Sequence, residues 1–165
     1  MFFLSLSIQT NMKITKNHKL ILLTALLLAG VDQLVKIWIW KSDVLSEPII
    51  VVKDFFAFIK QTNYGIAFSI PLPFAIILIL NVGLLAVIFS LVHKELNLKK
   101  LLSRISISLI LAGGIGNLID RIAHGYVIDY ISLSIWPSFN IADVYITVGV
   151  LLILIFYGKI KLIKN

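Results

Sequence analysis

Four long apolar runs separated by short charged segments constrain this chain more than any other feature. They cover about residues 20–40, 72–92, 104–122 and 141–158. A helix of 18–21 residues is roughly 27–31 Å long, which matches a hydrocarbon core of about 30 Å. The chain is 59% hydrophobic and 14% charged, whereas a soluble domain carries about a quarter charged residues. We therefore expect an all-α integral membrane protein with four transmembrane helices, forming a single membrane domain over residues 1–165.

Basic residues lie beside these runs, and their placement predicts the topology. Lysine and arginine favour the cytoplasmic loops, so we expect both termini and the 93–104 loop inside and the 41–71 and 123–140 loops outside. A net charge of +7 spread over separate loops is typical of contact with anionic lipid. It argues against nucleic-acid binding, which needs one basic patch. The three clusters are Lys13, Lys16 and Lys19; Lys94, Lys99, Lys100 and Arg104; and Lys159, Lys161 and Lys164.

The first outer loop has β-prone sequence. Residues 49–52 and 55–59 are β-branched and aromatic, and Lys53-Asp54 separates them. This pattern predicts a hairpin or a small sheet. An apolar sheet beside a membrane could rest on lipid or form one wall of a groove.

Several kinds of site are excluded or disfavoured. The chain has no cysteine, which rules out disulfides and thiol nucleophiles. Its histidines, at positions 18, 93 and 124, are too far apart in sequence to suggest a metal site. The glycines of residues 113–116 lack a following Gly-Lys-Ser/Thr, so they indicate close helix packing rather than a phosphate loop. We expect no metal and no cofactor.

Polar residues inside membrane spans are costly and are candidates for a functional site. Asp32 lies about 12 residues into the first run, with Lys36 one turn further. The remaining candidates lie near the outer ends of the runs or in the outer loops, so that all four helices contribute at one level. They are Asn63, Asn117, Asp120, Arg121, Asp129, Asn140 and Asp143.

Each candidate also has a structural interpretation, which the sequence leaves open. The alternatives are an ion pair between helices for Asp32 with Lys36, an interfacial pair for Asp120 with Arg121, an N-terminal helix cap for Asn140 with Asp143, and a solvated loop charge for Asp129.

Two carboxyl groups at a hydrated membrane edge could nevertheless perform hydrolysis. Two aspartates about 3–5 Å apart share a proton, so one can activate water while the other polarises a carbonyl. Asp129 and Asp143 flank the second outer loop and are open to water. Asp120 is the nearest competitor as the partner of Asp143.

Five blocks of sequence follow one another along the chain. They are Asp32-Gln33-x-x-Lys36, Asn63-x-Gly65-x-Ala67-Phe68, Gly113-Gly114-x-Gly116-Asn117-x-x-Asp120-Arg121, Gly125-x-Val127-x-Asp129 and Phe139-Asn140-Ile141-Ala142-Asp143. With these blocks in this order, the sequence resembles the bacterial lipoprotein signal peptidases (signal peptidase II), which are four-helix aspartyl peptidases of the inner membrane.

This resemblance implies that Asp129 and Asp143 are the catalytic dyad and that the other polar candidates shape the site and hold the substrate. It implies diacylglyceryl-modified prolipoproteins as substrates, cleaved before the lipidated cysteine, and inhibition by globomycin. The β-prone first outer loop would form an extracytoplasmic cradle, and the enzyme would act in the inner membrane. We expect the protein to be a monomer.

Other functions remain possible from sequence. A transporter or proton relay also uses buried acids, but it would place them at several depths. A structural membrane protein would use the polar groups for helix contacts alone. Presenilin-like aspartyl proteases carry their aspartates within helices and have a different glycine motif.

The start of the chain allows two interpretations. Residues 12–30 resemble a signal peptide ending near Ala29-Gly30, but the apolar run continues to Trp40, too far for a signal peptide. We expect a retained first helix and a biological start at Met12. N-terminal sequencing of the protein from its natural host tests this, and a sequence beginning at Met1 would contradict it.

Overall fold

A computed structural model of the chain describes residues 15–65, 70 and 72–162. The expected start at Met12 and residues 66–69 of the second sequence block lie outside the described residues. The helices begin and end within a few residues of the predicted runs. In chain order the elements are α1 Lys16–Lys41, a 3-10 turn Asp43–Leu45, β1 Ile49–Val52, β2 Phe56–Asn63, α2 Phe74–Lys94, α3 Leu101–His124, β3 Val127–Leu133, β4 Trp136–Phe139 and α4 Ile141–Ile160.

Three of the helices, α1, α3 and α4, are long and apolar enough to cross a membrane. Large apolar side chains are exposed on their outward faces, as expected of helices that face lipid; examples are Leu34 on α1 and Leu154 and Ile155 on α4. In α2, which has 21 residues, the fully described stretch Phe74–Ile88 is apolar but too short by itself to count as a span. Among the described residues, three spans are thus supported, and the fourth remains a prediction.

Helix α3 is the centre of the bundle, because it packs against α1, α2 and α4. Its glycines allow the close approach: a Cβ on Gly113 would collide with the Ala142 carbonyl oxygen of α4, and one on Gly116 would lie 2.6 Å from Asp32 Oδ2 of α1. Gly149 of α4 is equally close to Ile110 of α3, since a Cβ there would lie 2.6 Å from the Ile110 Cγ1. The predicted role of residues 113–116 in helix packing is confirmed.

The four strands form one antiparallel sheet in the order β1-β2-β3-β4. The predicted hairpin over residues 49–59 is confirmed as β1 and β2. The sequence interpretation missed β3 and β4, which lie in the second predicted outer loop. The sheet is therefore built from both the α1–α2 and the α3–α4 connections. It covers one end of the bundle, called here the sheet end; the opposite end, with the lysine clusters, is called the basic end.

A single glycine directs the chain from α3 into the sheet. Gly125 ends α3 with φ of 80°, and its N–H donates to the Arg121 carbonyl oxygen. Glycine adopts this left-handed conformation without steric cost. The turn sends β3 back across the sheet end, where Tyr130 packs in a buried cluster with Ile39 and Leu45.

Replacing Gly113 by alanine should lower the melting temperature in detergent, because the new methyl group would push against the α4 backbone. Gly83→Ala is the matched control. Gly83 lies on α2, and a methyl group added there would have no neighbouring atom within 4 Å. The change should therefore leave stability unchanged or raise it by up to about 1 kcal/mol through helix propensity. Equal melting temperatures for the two variants would contradict this packing arrangement.

Candidate active site

The structure brings every predicted site residue to the sheet end. Helix α1 supplies Asp32 and Lys36, and the last turns of α3 supply Asn117, Asp120 and Arg121. Asn140 is the N-cap of α4, and Asp143 lies in its first turn. The sheet supplies Asn63 from the end of β2 and Asp129 from β3.

A buried ion cluster forms the floor of the site. The Lys36 ammonium lies 2.9 Å from Asp32 Oδ2 and 2.9 Å from Asp120 Oδ2, and none of the three side chains is more than 1% exposed. The predicted pairing of Asp32 with Lys36 is confirmed. Among the described residues, Asp120 forms its ion pair with Lys36 and not with Arg121, so the interfacial-pair interpretation is wrong.

Gln33 completes this cluster, although sequence reasoning did not select it. Its Nε2 donates to Asp120 Oδ1 at 2.8 Å, with the Gly116 carbonyl oxygen at 3.1 Å and Asp32 Oδ2 at 3.3 Å. An amide in an otherwise apolar run is itself a signal of a polar partner. The cluster thus joins α1 to α3 by four side chains.

Lys36 also determines how the Asn117 amide is oriented. Its ammonium donates to Asn117 Oδ1 at 3.1 Å, and Asn140 Nδ2 donates to the same oxygen at 3.3 Å. With its oxygen held by two donors, Asn117 must turn its Nδ2 outward, where it donates to Asp143 Oδ1 at 2.7 Å. The ion cluster therefore positions a donor on Asp143 through one intermediate side chain.

Asp143 and Asn140 also cap α4. The Asp143 N–H donates to Asn140 Oδ1 at 3.1 Å, and the Asn140 N–H donates to Asp143 Oδ2 at 3.2 Å. The capping interpretation is confirmed, and it coexists with the contact from Asn117. The Asp143 carboxyl group consequently has a donor on each oxygen and a fixed orientation at the helix N-terminus, where negative charge is favoured.

Asp129 is held by two amides and is not a solvated loop charge. Asn140 Nδ2 donates to its Oδ1 at 2.8 Å, and Asn63 Nδ2 donates to its Oδ2 at 3.0 Å. The residue is 2% exposed. Burial, reinforced by the nearby charge of Asp143, raises the pKa of Asp129 to about 6, against the opposing effect of the two amides. Asn140, in contact with both aspartates, links them.

A cavity of about 240 Å³ opens beside the two aspartates. Asp129 and Asp143 both line it, and β4 forms a wall that sequence reasoning did not anticipate. Arg121 lies at its edge and donates from Nη2 to the Gly65 carbonyl oxygen at 3.2 Å. Within the described part of the chain, no group of three or more His, Cys, Asp or Glu side chains is arranged to hold a metal.

A second, mainly apolar cavity of about 290 Å³ adjoins the first. The two share Trp136, Phe139, Asp143 and Thr147, while Val148 extends the second along α4. A molecule with both a polar and an apolar part could therefore occupy both cavities and place its polar part at the aspartates.

The fold and site define the class of the protein, an integral membrane protein with a buried polar site at one end of its helices. A bacterial membrane enzyme solved by the in meso method at 2.3 Å resolution has a similar fold, with a TM-score of 0.73 and 30% sequence identity over 84% of this chain and 87% of that one. A second such enzyme, solved at 1.9 Å, gives a TM-score of 0.70 at 31% identity, covering 82% and 90% of the two chains.

Sequence comparison identifies the family. The family model for signal peptidase (SPase) II matches residues 24–158. A lipoprotein signal peptidase of Clostridium tetani is 42% identical over 135 residues, covering 78% of this chain and 85% of that relative. One from Bartonella quintana is 40% identical over 144 residues, covering 84% and 86%. The chain belongs to the signal peptidase II family of peptidases.

Replacing Asp143 by asparagine should lower the pKa of Asp129 below about 6, because the charge of Asp143 is one of the causes that raise it. The pKa can be followed by carbon NMR of aspartate labelled at the carboxyl group. Asp54→Asn, at an exposed turn of the sheet where asparagine tolerates the positive φ of 57°, should leave it unchanged. An unaltered Asp129 pKa in the Asp143 variant would show that the two groups do not interact.

Lys36→Met should destabilise the protein strongly, by about 3–5 kcal/mol, because it leaves two buried carboxylates without their cation. Lys41→Met removes an exposed lysine from the end of the same helix and should cost less than about 1 kcal/mol. Unfolding in detergent measures both. Similar small losses would mean that the ion cluster does not support the fold.

Proposed function

We propose that this protein is a lipoprotein signal peptidase that hydrolyses prolipoproteins with an Asp129/Asp143 dyad. The observation that carries the proposal is that both aspartates line one cavity at the sheet end, linked by Asn140 and oriented by amides. The reaction uses no metal and no cofactor. The names of the relatives, lipoprotein signal peptidases, support the substrate class.

In the proposed mechanism the dyad begins with one shared proton. The ionised carboxylate takes a proton from water as the water attacks the scissile carbonyl carbon, and the protonated carboxyl group donates its proton to the carbonyl oxygen. The resulting diol collapses when the leaving nitrogen takes the proton from the first carboxyl group. The second carboxylate recovers a proton from a diol hydroxyl, so the dyad ends as it began.

The pKa of Asp129 suits this chemistry. A buried carboxyl group with a pKa of about 6 retains a proton under mildly acidic conditions in which an ordinary aspartate is ionised. Asn140 donates to the Asp129 carboxyl group and accepts a hydrogen bond from the Asp143 N–H. It therefore holds the two carboxyl groups in position relative to each other while the proton moves.

The substrate is a diacylglyceryl-modified prolipoprotein, and cleavage falls just before the lipidated cysteine. The apolar cavity beside Asp143 is suited to an apolar part of this substrate. Because acyl chains anchor the cysteine at the membrane interface, the bilayer itself brings the scissile bond to the depth of the dyad, which reduces the entropic cost of positioning. Globomycin is expected to inhibit by placing its backbone at the dyad, in the cavity that Asp129 and Asp143 both line.

In the proposed topology α2 also crosses the membrane, which gives four spans with both termini in the cytoplasm. Six lysines and one arginine of residues 94–104 and 159–164 then lie inside. The dyad faces the extracytoplasmic side of the bacterial inner membrane, where water and the signal peptide junction meet. We infer that the enzyme acts as a monomer, because this chain by itself supplies both aspartates and the amides that hold them.

A proton relay or transporter is less well supported. Its acids should form a path across the membrane, but in residues 16–31, 74–94, 101–116 and 144–160 the chain carries no aspartate or glutamate. The buried serines of α3 in that region all donate to backbone carbonyl oxygens. Ser106 Oγ donates to Leu102 of its own helix, whereas Ser103 Oγ donates to Ile160 of α4 and Ser108 Oγ to Ile21 of α1. Ser103 and Ser108 thus join α3 to its neighbours, and none of the three serines extends the polar site.

Asp129→Asn and Asp143→Asn should each reduce cleavage of a diacylglyceryl-modified prolipoprotein by at least about a hundredfold, because proton transfer by a positioned group contributes roughly 10²–10⁴. Both variants should remain folded. Asp54→Asn, exposed on the sheet, is the control and should be fully active. Near-normal processing by either dyad variant would disprove the assignment, and an inactive Asp120→Asn alongside an active Asp129→Asn would identify Asp120 as the partner.

The pH dependence of cleavage should be bell-shaped, with an upper apparent pKa near 6. Above that pH the dyad loses its shared proton, since burial raises the pKa of Asp129 to about 6. At low pH both groups are protonated and no base remains. A rate that is constant from about pH 4 to 8 would be incompatible with shared-proton chemistry.

A further inference from the structure

A groove at the basic end, about 24 Å along α4 from the dyad at 1.5 Å per residue, has a composition unlike that of the active-site cavities. Its volume is about 310 Å³. The start of α3 contributes Lys100, Leu101, Leu102 and Ile105, and the end of α4 contributes Lys159 and Ile160.

We propose that this groove binds one anionic glycerophospholipid, with an acyl chain along its apolar wall and the phosphate between Lys100 and Lys159. This site is separate from the proposed peptidase activity, and its test is a binding measurement.

The apolar part of the groove is open to lipid. Leu101 is 63% exposed and Ile105 is 40% exposed, while Ile160, at 1%, forms a closed floor. On a helix that crosses a membrane, such side chains face hydrocarbon. A wall of exposed aliphatic side chains over a packed floor provides a surface on which an extended acyl chain can lie without displacing protein atoms.

No described residue forms an ion pair with either of the two lysines. Both ion pairs found among the described residues belong to Lys36. Lys159 contacts the Phe156 ring, with Nζ 5.5 Å from its centroid, which leaves its charge uncompensated. Glu95, the one acid within residues 94–104 and 157–162, accepts a hydrogen bond from Tyr157 at 3.2 Å.

The apolar wall and the two lysines together favour a lipid over a soluble anion. A free phosphate would gain nothing from four apolar lining residues, and a neutral lipid would gain little from two ammonium groups. Both ammonium groups lie at helix ends, Lys100 just before α3 and Lys159 in the last turn of α4. Helix ends lie at headgroup depth, where basic pockets between spans bind acidic lipids.

Native mass spectrometry of the full chain in detergent, titrated with dioleoylphosphatidylglycerol, tests the proposal. We expect one tightly bound lipid, with dioleoylphosphatidylcholine binding at least about tenfold more weakly. The K100Q/K159Q double variant should weaken phosphatidylglycerol binding on the order of tenfold. K99Q/K161Q removes the same charge from exposed lysines outside the groove and should change it less than about twofold.

Two further variants test the apolar wall. Ile105→Trp should fill the groove and weaken phosphatidylglycerol binding with both lysines present, whereas Leu154→Trp, on the exposed face of α4 outside the groove, should not. Equal losses in the two lysine variants would indicate diffuse surface charge and overturn the site. So would equal affinity for the two lipids, or normal binding by the Ile105 variant.

Discussion

The Lys36 ammonium, buried between two carboxylates, is the interaction on which the rest of the structure depends. A charge with no access to water costs several kcal/mol unless it is paired and hydrogen-bonded, and here Asp32, Asp120 and Asn117 satisfy it. The hydrogen bond from Lys36 to Asn117 also affects the proposed dyad, because it turns the Asn117 amide group toward Asp143. The same lysine thus holds α1 to α3 and orients the proposed dyad.

The glycines of α3 make this arrangement possible by allowing α4 to approach its backbone. Gly113 touches the Ala142 carbonyl, and Asp32 Oδ1 accepts a hydrogen bond from the Ala142 N–H at 3.2 Å. The ion cluster therefore reaches the start of α4 directly as well as through Asn117. The sheet closes the site from the other side, since the Ile128 N–H donates to Asp120 Oδ2 at 3.3 Å. Helices α1, α3 and α4 and strand β3 thus meet at the carboxylates of Asp32 and Asp120.

Sequence patterns predicted what depends on local periodicity and left out what depends on distant contacts. The apolar runs predicted the helices, and the β-prone residues 49–59 predicted β1 and β2. Strand β3 was missed because a polar residue interrupts a short run, and its pairing with β2 joins segments about 70 residues apart. The Lys36–Asp120 ion pair was missed because its two residues are 84 positions apart in sequence. The convergence of the polar residues at one level was predictable, because spans of similar length place their outer ends together.

The most direct test of the dyad is a structure of the protein bound to a prolipoprotein-derived peptide in which a hydroxyethylene group replaces the scissile amide. The hydroxyl group mimics one hydroxyl of the diol intermediate, so its position reports which groups perform the chemistry. The account predicts that this hydroxyl lies within hydrogen-bond distance of both the Asp129 and the Asp143 carboxyl groups. A hydroxyl bound by Asp120, or by only one of the two aspartates, would contradict it.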